Sequence, residues 1–241
     1  MDLKEEGLIN IDLIDHWYYQ SKSAALAKLI EGYQLPRIVT DVGAGSGFFS
    51  KHLIREKLAA EATCVDINYT HENTTSYCGV NIHYRKKIDT TSANLFLLMD
   101  VLEHVDDDFG LLSYYVNLAN DDSIFFISVP AYQFLWSNHD IFLEHKRRYS
   151  MKQIKNLVER TDLVIEKCCY FYGFIFPIIL LVRMFTKFFN ASKKPTSNLS
   201  LSPPFANFIL KKICLSEILF CKFNSLFGST ILCVARKISK K

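Results

Sequence analysis

Arg37-Ile38-Val39-Thr40-Asp41-Val42-Gly43-Ala44-Gly45-Ser46-Gly47-Phe48-Phe49 decides the reading of this chain. Residues 37–42 are a short β-branched run of the kind that forms a buried strand, and 48–58 repeat their apolar positions at helical spacing. Three glycines stand between them. A strand, a glycine turn and a helix in that order is where open α/β sheets bind a nucleotide-like cofactor. Gly43 and Gly45 permit backbone torsions and close ligand approach that a side chain would obstruct. Asp66 lies nineteen residues beyond Gly47, at the end of a second strand (62–66), where an acid can accept from both ribose hydroxyls. The dinucleotide pattern Gly-x-Gly-x-x-Gly would need glycine at 48, and Phe48 stands there. The loop instead suits a ligand without a pyrophosphate. A glycine turn that merely links strand to helix is the plainer alternative.

Working outward, 81–85 is a third strand. The run 95–100 is a buried fourth strand, with the helix 109–119 after it. Strand 124–129 is closed by Pro130, 151–160 is helical, and 163–169 returns as a strand. The alternation predicts a mostly parallel sheet with helices on both faces. Residues 9–31 read as one or two helices ahead of the core, with Ile11, Ile14, Trp17 and Tyr18 among their apolar positions. After 168 the texture changes. Residues 168–182 carry no charge, are interrupted by Gly173 and Pro177, and end at Arg183. A polar stretch (190–198), an amphipathic helical pattern (205–223), a last strand and a basic tail follow.

The loop 37–50, Asp66 and Asp100-Val101-Leu102-Glu103-His104-Val105 resemble the successive motifs of class I S-adenosylmethionine-dependent methyltransferases, in the methyltransferase-11/23-like group. That resemblance implies a Rossmann-like sheet, mostly parallel with a final antiparallel strand, flanked by helices and carrying a hydrophobic helical insertion before the last strand. It implies a single domain over 1–241, with an N-terminal helical lid (9–31), a cofactor-binding core (37–169), an insertion (170–227) and a last strand (229–236). It also implies a cofactor, S-adenosyl-L-methionine, leaving as S-adenosyl-L-homocysteine. The expected cofactor contacts are Asp41 at the methionine end, Gly43, Ala44, Gly45 and Gly47 in the loop, Asp66 and Ile67 at the ribose, and Asp89 at the adenine. Asp100, Val101 and His104 complete the set, with Trp17 and Tyr18 of an aromatic helix that closes over the cofactor. Packing of that helix on the sheet is the competing reading.

Methyl transfer from a sulfonium is an in-line displacement, and holding the partners together supplies about 7–11 kcal/mol of barrier reduction without an acid or base. A hydroxyl acceptor gains about 10²–10⁴-fold from a general base. His139 and His145 are the candidates for that base, since imidazole changes charge near neutral pH; both also read as ordinary loop histidines. Around them, Tyr132 and Trp136 offer stacking surface, Arg147 and Arg148 a bidentate anion clamp, and Asp140 and Tyr149 further polar contacts to an acceptor. A Pro-Ala…Trp…His-Asp and His-x-Arg-Arg-Tyr pattern resembles that of methyltransferases in cell-envelope glycan or lipid-linked pathways. It implies a small or lipid-linked acceptor. A non-catalytic cofactor-binding or membrane-associated protein is the alternative. His139, Asp140, Glu144 and His145 are ligand types without an established zinc spacing, so no metal is expected.

The chain has 241 residues, 49% hydrophobic and 22% charged, enough for one sizeable core. A formal charge of +3 is too small for a dedicated nucleic-acid binder, and none is expected as partner. An odd seven cysteines, with no Cys-x-x-Cys, and a polar start without a signal-peptide pattern point to a reduced, cytoplasmic protein. The run 168–189 is too short for a confident span. Its aromatics beside Arg183 and Lys187 predict peripheral contact with the inner face of a membrane, against plain core packing.

Overall fold

The computed structural model describes residues 15–33, 37–189 and 203–238. Eight strands form one sheet: β1 (Ile38–Val42), β2 (Glu61–Val65), β3 (Asn73–Tyr77), β4 (Val80–Arg85), β5 (Leu95–Met99), β6 (Ile124–Pro130), β7 (Leu163–Phe171) and β8 (Thr230–Lys237), in the order β3-β4-β2-β1-β5-β6-β8-β7. Strands β4, β2, β1, β5 and β6 are parallel neighbours. Strand β8 enters antiparallel between β6 and β7, so β7 runs in the same direction as β6. Every residue of β5 and β6 is buried, which is why both read as unbroken apolar runs rather than alternating ones.

Helices cover both faces: α1 (Trp17–Leu29), α2 (Phe48–Arg55), α3 (Asp108–Leu118), the short α4 (Asn138–Phe142), α5 (Met151–Glu159), α6 (Phe176–Phe189) and α7 (Pro204–Cys221). Two cores result. One packs Leu26, Phe49 and Leu53 under the sheet side chains Leu95, Leu97 and Met99. The other packs Leu112, Tyr115 and Ile154 against Phe96 and Phe125, cross-strand neighbours stacked at 4.6 Å between ring centroids. Helices α3 and α5 are fixed at their starts by Asp107, which accepts from the Gly110 amide, and by a capping box between Ser150 and Gln153.

Three expectations change. The strand read at 81–85 starts one residue earlier as β4 and is preceded by β3, which pairs antiparallel at the sheet edge. The strand read to 169 continues to Phe171, so the insertion begins later than 170, and Phe171 and Tyr172 are core residues. Of the N-terminal helical region, α1 is present; Ile11 and Ile14 lie outside the described residues, as does the polar stretch 190–198. Helix α7 lies along α1. Asn207 joins them by accepting from the Trp17 amide at 2.8 Å and donating to the Asp15 carbonyl at 2.9 Å.

Candidate functional site

The sheet order reverses at β1, whose neighbours β2 and β5 lead away in opposite directions, and the loops beyond their C-terminal ends converge there. Gly43, Gly45 and Gly47 all take left-handed φ, +62°, +54° and +72°. A Cβ on Gly43 would stand 2.7 Å from Val101 Cγ2, and one on Gly47 2.9 Å from Cys64 Sγ. The loop amides are turned inward: Gly43 and Ala44 donate to the Val65 carbonyl, Gly45 to Asp66 Oδ2, and Gly47 to the Ala44 carbonyl. With those four N–H groups occupied, the loop is poorly suited to cradle a pyrophosphate, in accord with Phe48.

Asp66 is buried, with Oδ2 on the Gly45 amide at 3.0 Å and Oδ1 on the Asn68 amide at 2.9 Å. Each oxygen keeps a lone pair for a further donor. Ile67 beside it is 84% exposed. Asp41 lies behind the loop and accepts from Ser50 Oγ at 2.8 Å. Burial pushes its carboxyl up to about 6, with Ser50 opposing the rise. Asp89 is exposed and bonded to Lys87 and Tyr114.

Asp100, at the end of β5, has φ +56°. Its Oδ1 accepts from Ser128 at 2.8 Å, and its Oδ2 from Tyr18 Oη at 3.2 Å and from the ammonium of Lys22. Burial works against ionisation, but Lys22 and Ser128 outweigh it and hold the Asp100 carboxyl below its ordinary range. Tyr18 therefore meets the acid at the end of β5. Trp17 packs edge-on against Tyr172 at the α1–α7 junction.

The polar segment after β6 is a brace. Lys146 N–H donates to the Glu103 carbonyl at 2.7 Å. Arg147 donates to the Val105 and Asp106 carbonyls and pairs with Asp108. Tyr149 Oη donates to the Leu102 carbonyl and Asp108. Arg148 is buried on Asp140 Oδ1 at 2.7 Å and on the Ala131 carbonyl. These bonds fasten the one-turn 3₁₀ segment Leu102–His104 to the chain around 146–149. Arg147, Arg148, Asp140 and Tyr149, read from the sequence as acceptor contacts, thus each bond to the protein itself, with guanidinium N–H groups of both arginines left over. Trp136 is half-buried. Tyr132 stacks on Tyr170 and Phe134, and its hydroxyl donates to the Leu226 carbonyl.

His145 Nδ1 stands 3.0 Å from Asp140 Oδ1, and its ring meets His104 edge-on at 4.7 Å. Burial opposes ionisation of Asp140, yet His145 and Arg148 hold its carboxyl well below the usual range. Burial, then Arg183, push His139 down to about 4, making it a weak base. Glu103 is fully buried, and neither carboxylate oxygen receives a hydrogen bond from another residue. Burial and the Asp100 charge push its carboxyl up. An unsatisfied buried polar group costs about 1–3 kcal/mol.

Lys22, Ser128 and Glu103 were missed from sequence. The spacing of four between Tyr18 and Lys22 was the available signal, since it puts both on one helix face. Among the described residues, four of the seven non-glycine residues with left-handed φ, Asp100, Tyr132, Glu144 and Tyr172, fall in the segments that surround this site.

No protein-family model matches the sequence, and no curated protein is significantly similar to it. Solved structures do share its fold. An S-adenosylmethionine-dependent methyltransferase from Archaeoglobus fulgidus is 22% identical, with a TM-score of 0.52 over 91% of this chain and 94% of that one. The plantazolicin methyltransferase BpumL, solved with S-adenosylhomocysteine, is 12% identical, with a TM-score of 0.54 over 94% and 86%. A Haemonchus contortus phosphoethanolamine N-methyltransferase is 14% identical, with a TM-score of 0.52 over 90% of this chain and 52% of that one. The fold is that of the class I methyltransferases.

Proposed function

We propose that this chain, built on the class I methyltransferase fold, binds S-adenosylmethionine and transfers its methyl group to a small or lipid-linked acceptor. One observation carries the reading: Asp66 is locked to the Gly45 amide, so the acid and the glycine loop form one preset edge at the switch point of the sheet. Asp66 supplies acceptors for ribose hydroxyls, and the uncovered Ile67 an apolar surface for the adenine. The Lys22–Tyr18–Asp100 cluster supplies charges for the zwitterionic amino-acid end. Asp89, on the loop after β4, is the residue we assign to the adenine amino group, for which its ties to Lys87 and Tyr114 would have to yield. Rate enhancement comes chiefly from positioning.

Support for a lipid-linked acceptor comes from the insertion. Fourteen of the nineteen exposed large apolar side chains among the described residues lie between 174 and 227. Phe185, Phe205, Phe223 and Leu226 are each more than 60% exposed. Segment 174–227 holds seven Lys and Arg against one acid, Glu217, which is buried on the Gly173 and Phe174 amides. Exposed apolar side chains in a basic segment are the composition of a reversible bilayer contact. Tyr132, Phe176 and Phe227 join this surface to the loop beside the site. Among the described residues no helix is long and apolar enough to cross a membrane. Residues 168–172, expected at that contact, are in the core instead; the contact proposed here starts at Phe174.

Calorimetric titration with S-adenosylhomocysteine tests the cofactor site. Micromolar binding is expected, lost in Asp66→Ala; a folded wild type that shows none would overturn the reading.

A further inference from the structure

We propose that Glu103, His104 and His145 form a binding site for one divalent transition-metal ion at the edge of the acceptor side of the cofactor site. One ligand atom from each lies within 4.8 Å of the others. Bonds of about 2.0–2.2 Å to nitrogen and oxygen place ligand atoms about 3.3 Å apart around a tetrahedral ion. Closure by up to about 1.5 Å between ligand atoms would complete the site. Two imidazoles and one carboxylate are a donor set suited to zinc, iron or manganese.

Three observations point to an ion rather than to a chance cluster. Glu103 is fully buried, with neither oxygen supplied with a hydrogen bond by another residue, so both oxygens have lone pairs to offer an ion. His145 is oriented by Asp140 through Nδ1, and with the proton assigned there Nε2 carries the lone pair. A carboxylate behind a histidine is the arrangement that fixes tautomer and ring direction in metal sites. Asp140 is itself held by Arg148 and by the Ser137 amide, so this support is rigid. The turn carrying Glu103 and His104 is fastened to the segment carrying His145 by the Lys146–Glu103 main-chain bond, which keeps all three donors on one frame.

This departs from the expectation that the chain needs no metal. That expectation grouped His139, Asp140, Glu144 and His145 along the sequence; folding spends Asp140 on orientation and brings in Glu103 and His104 from the turn after β5. Three protein ligands leave positions open for water or an acceptor oxygen. Resting on the methyltransferase reading, the ion would hold an oxygen acceptor beside the methyl donor and favour its deprotonated form.

The test uses untagged, chelator-stripped protein titrated calorimetrically with ZnCl₂ and with MnCl₂, with metal content counted after dialysis. One equivalent of at least one of the two ions is expected to bind wild type. Glu103→Gln and His145→Ala should each weaken it by at least ~100-fold, beyond the 10–100-fold typical of supporting residues. Glu103→Gln keeps shape and removes only charge, so it remains informative if His145→Ala does not fold. Absence of stoichiometric binding of either ion to folded wild type, or binding undiminished in folded Glu103→Gln, overturns the proposal. S-adenosylhomocysteine titrated into the same preparation reads the cofactor site separately, so failure of one reading is distinguishable from failure of the other.

Discussion

Lys22, with no exposure of its side chain, meets the carboxylate of Asp100, and that contact ties helix α1 to the end of strand β5. Removing one member of a buried pair leaves the other charge uncompensated, at about 3–5 kcal/mol. Lys22→Met is therefore expected to lower stability by about 3 kcal/mol in urea unfolding, and Lys22→Met with Asp100→Leu to recover part of it. The pair also has a pH signature. Because the Asp100 carboxyl is held below its ordinary range, its contribution is present at neutral pH and lost as pH falls through its lowered value. An unchanged stability in Lys22→Met would show the pair to be incidental.

Asp41 has the opposite sign. Its carboxyl is raised from 3.8 to about 6 by burial, so the fold favours the protonated form. That contribution is complete below pH 3.8 and gone above pH 6. Asp41→Asn should stabilise the protein at pH 7.5 by up to roughly 3 kcal/mol, because the amide oxygen still accepts from Ser50. Thermal melts across pH 4–7.5 should show the advantage shrinking with acidification. An advantage independent of pH would contradict the assignment.

Gly43→Ala meets two obstacles, a left-handed φ and the Val101 side chain. The first costs about 1–2 kcal/mol. Val101→Ala should relieve the clash and leave the torsional cost. The double variant is thus expected between wild type and Gly43→Ala in melting temperature. If Gly43→Ala melts with wild type and binds S-adenosylhomocysteine equally well, the loop is less constrained than its geometry says.

Flotation with vesicles reads the exposed insertion. Burying each large apolar side chain is worth about 1.5–3 kcal/mol, so the Phe185→Ser, Phe223→Ser double variant should lose most of its binding to vesicles rich in anionic lipid. Wild-type protein should release on adding salt, which screens the basic side chains. A wild type that stays wholly unbound removes the membrane from the account.

The parallel core was legible because β5 and most of β6 are apolar, β1 is β-branched, and the cofactor loop is marked by glycines. Strand β3 was not, because Asn73–Tyr77 is polar and exposed and pairs on one side only. The brace at 146–149 was not legible for a different reason. Arginine and tyrosine next to a histidine identify a polar site, but not whether their partners are ligand atoms or carbonyls of a distant turn. The buried Glu103 is legible only in three dimensions, since its meaning lies in the hydrogen bonds it does not receive.

The two bonds of Asn207 join residues 190 and 192 positions apart. A chain made from its N-terminus must therefore make α1 long before Asn207 is there to hold its start. Strand β8 imposes the same delay, since it fills the gap between β6 and β7 from near the end of the chain. Contacts of such high sequence separation form late and slowly. Until α7 and β8 are made, α1 lacks part of its cover, and its Tyr19, Leu26 and Leu29 are an aggregation hazard of the nascent protein.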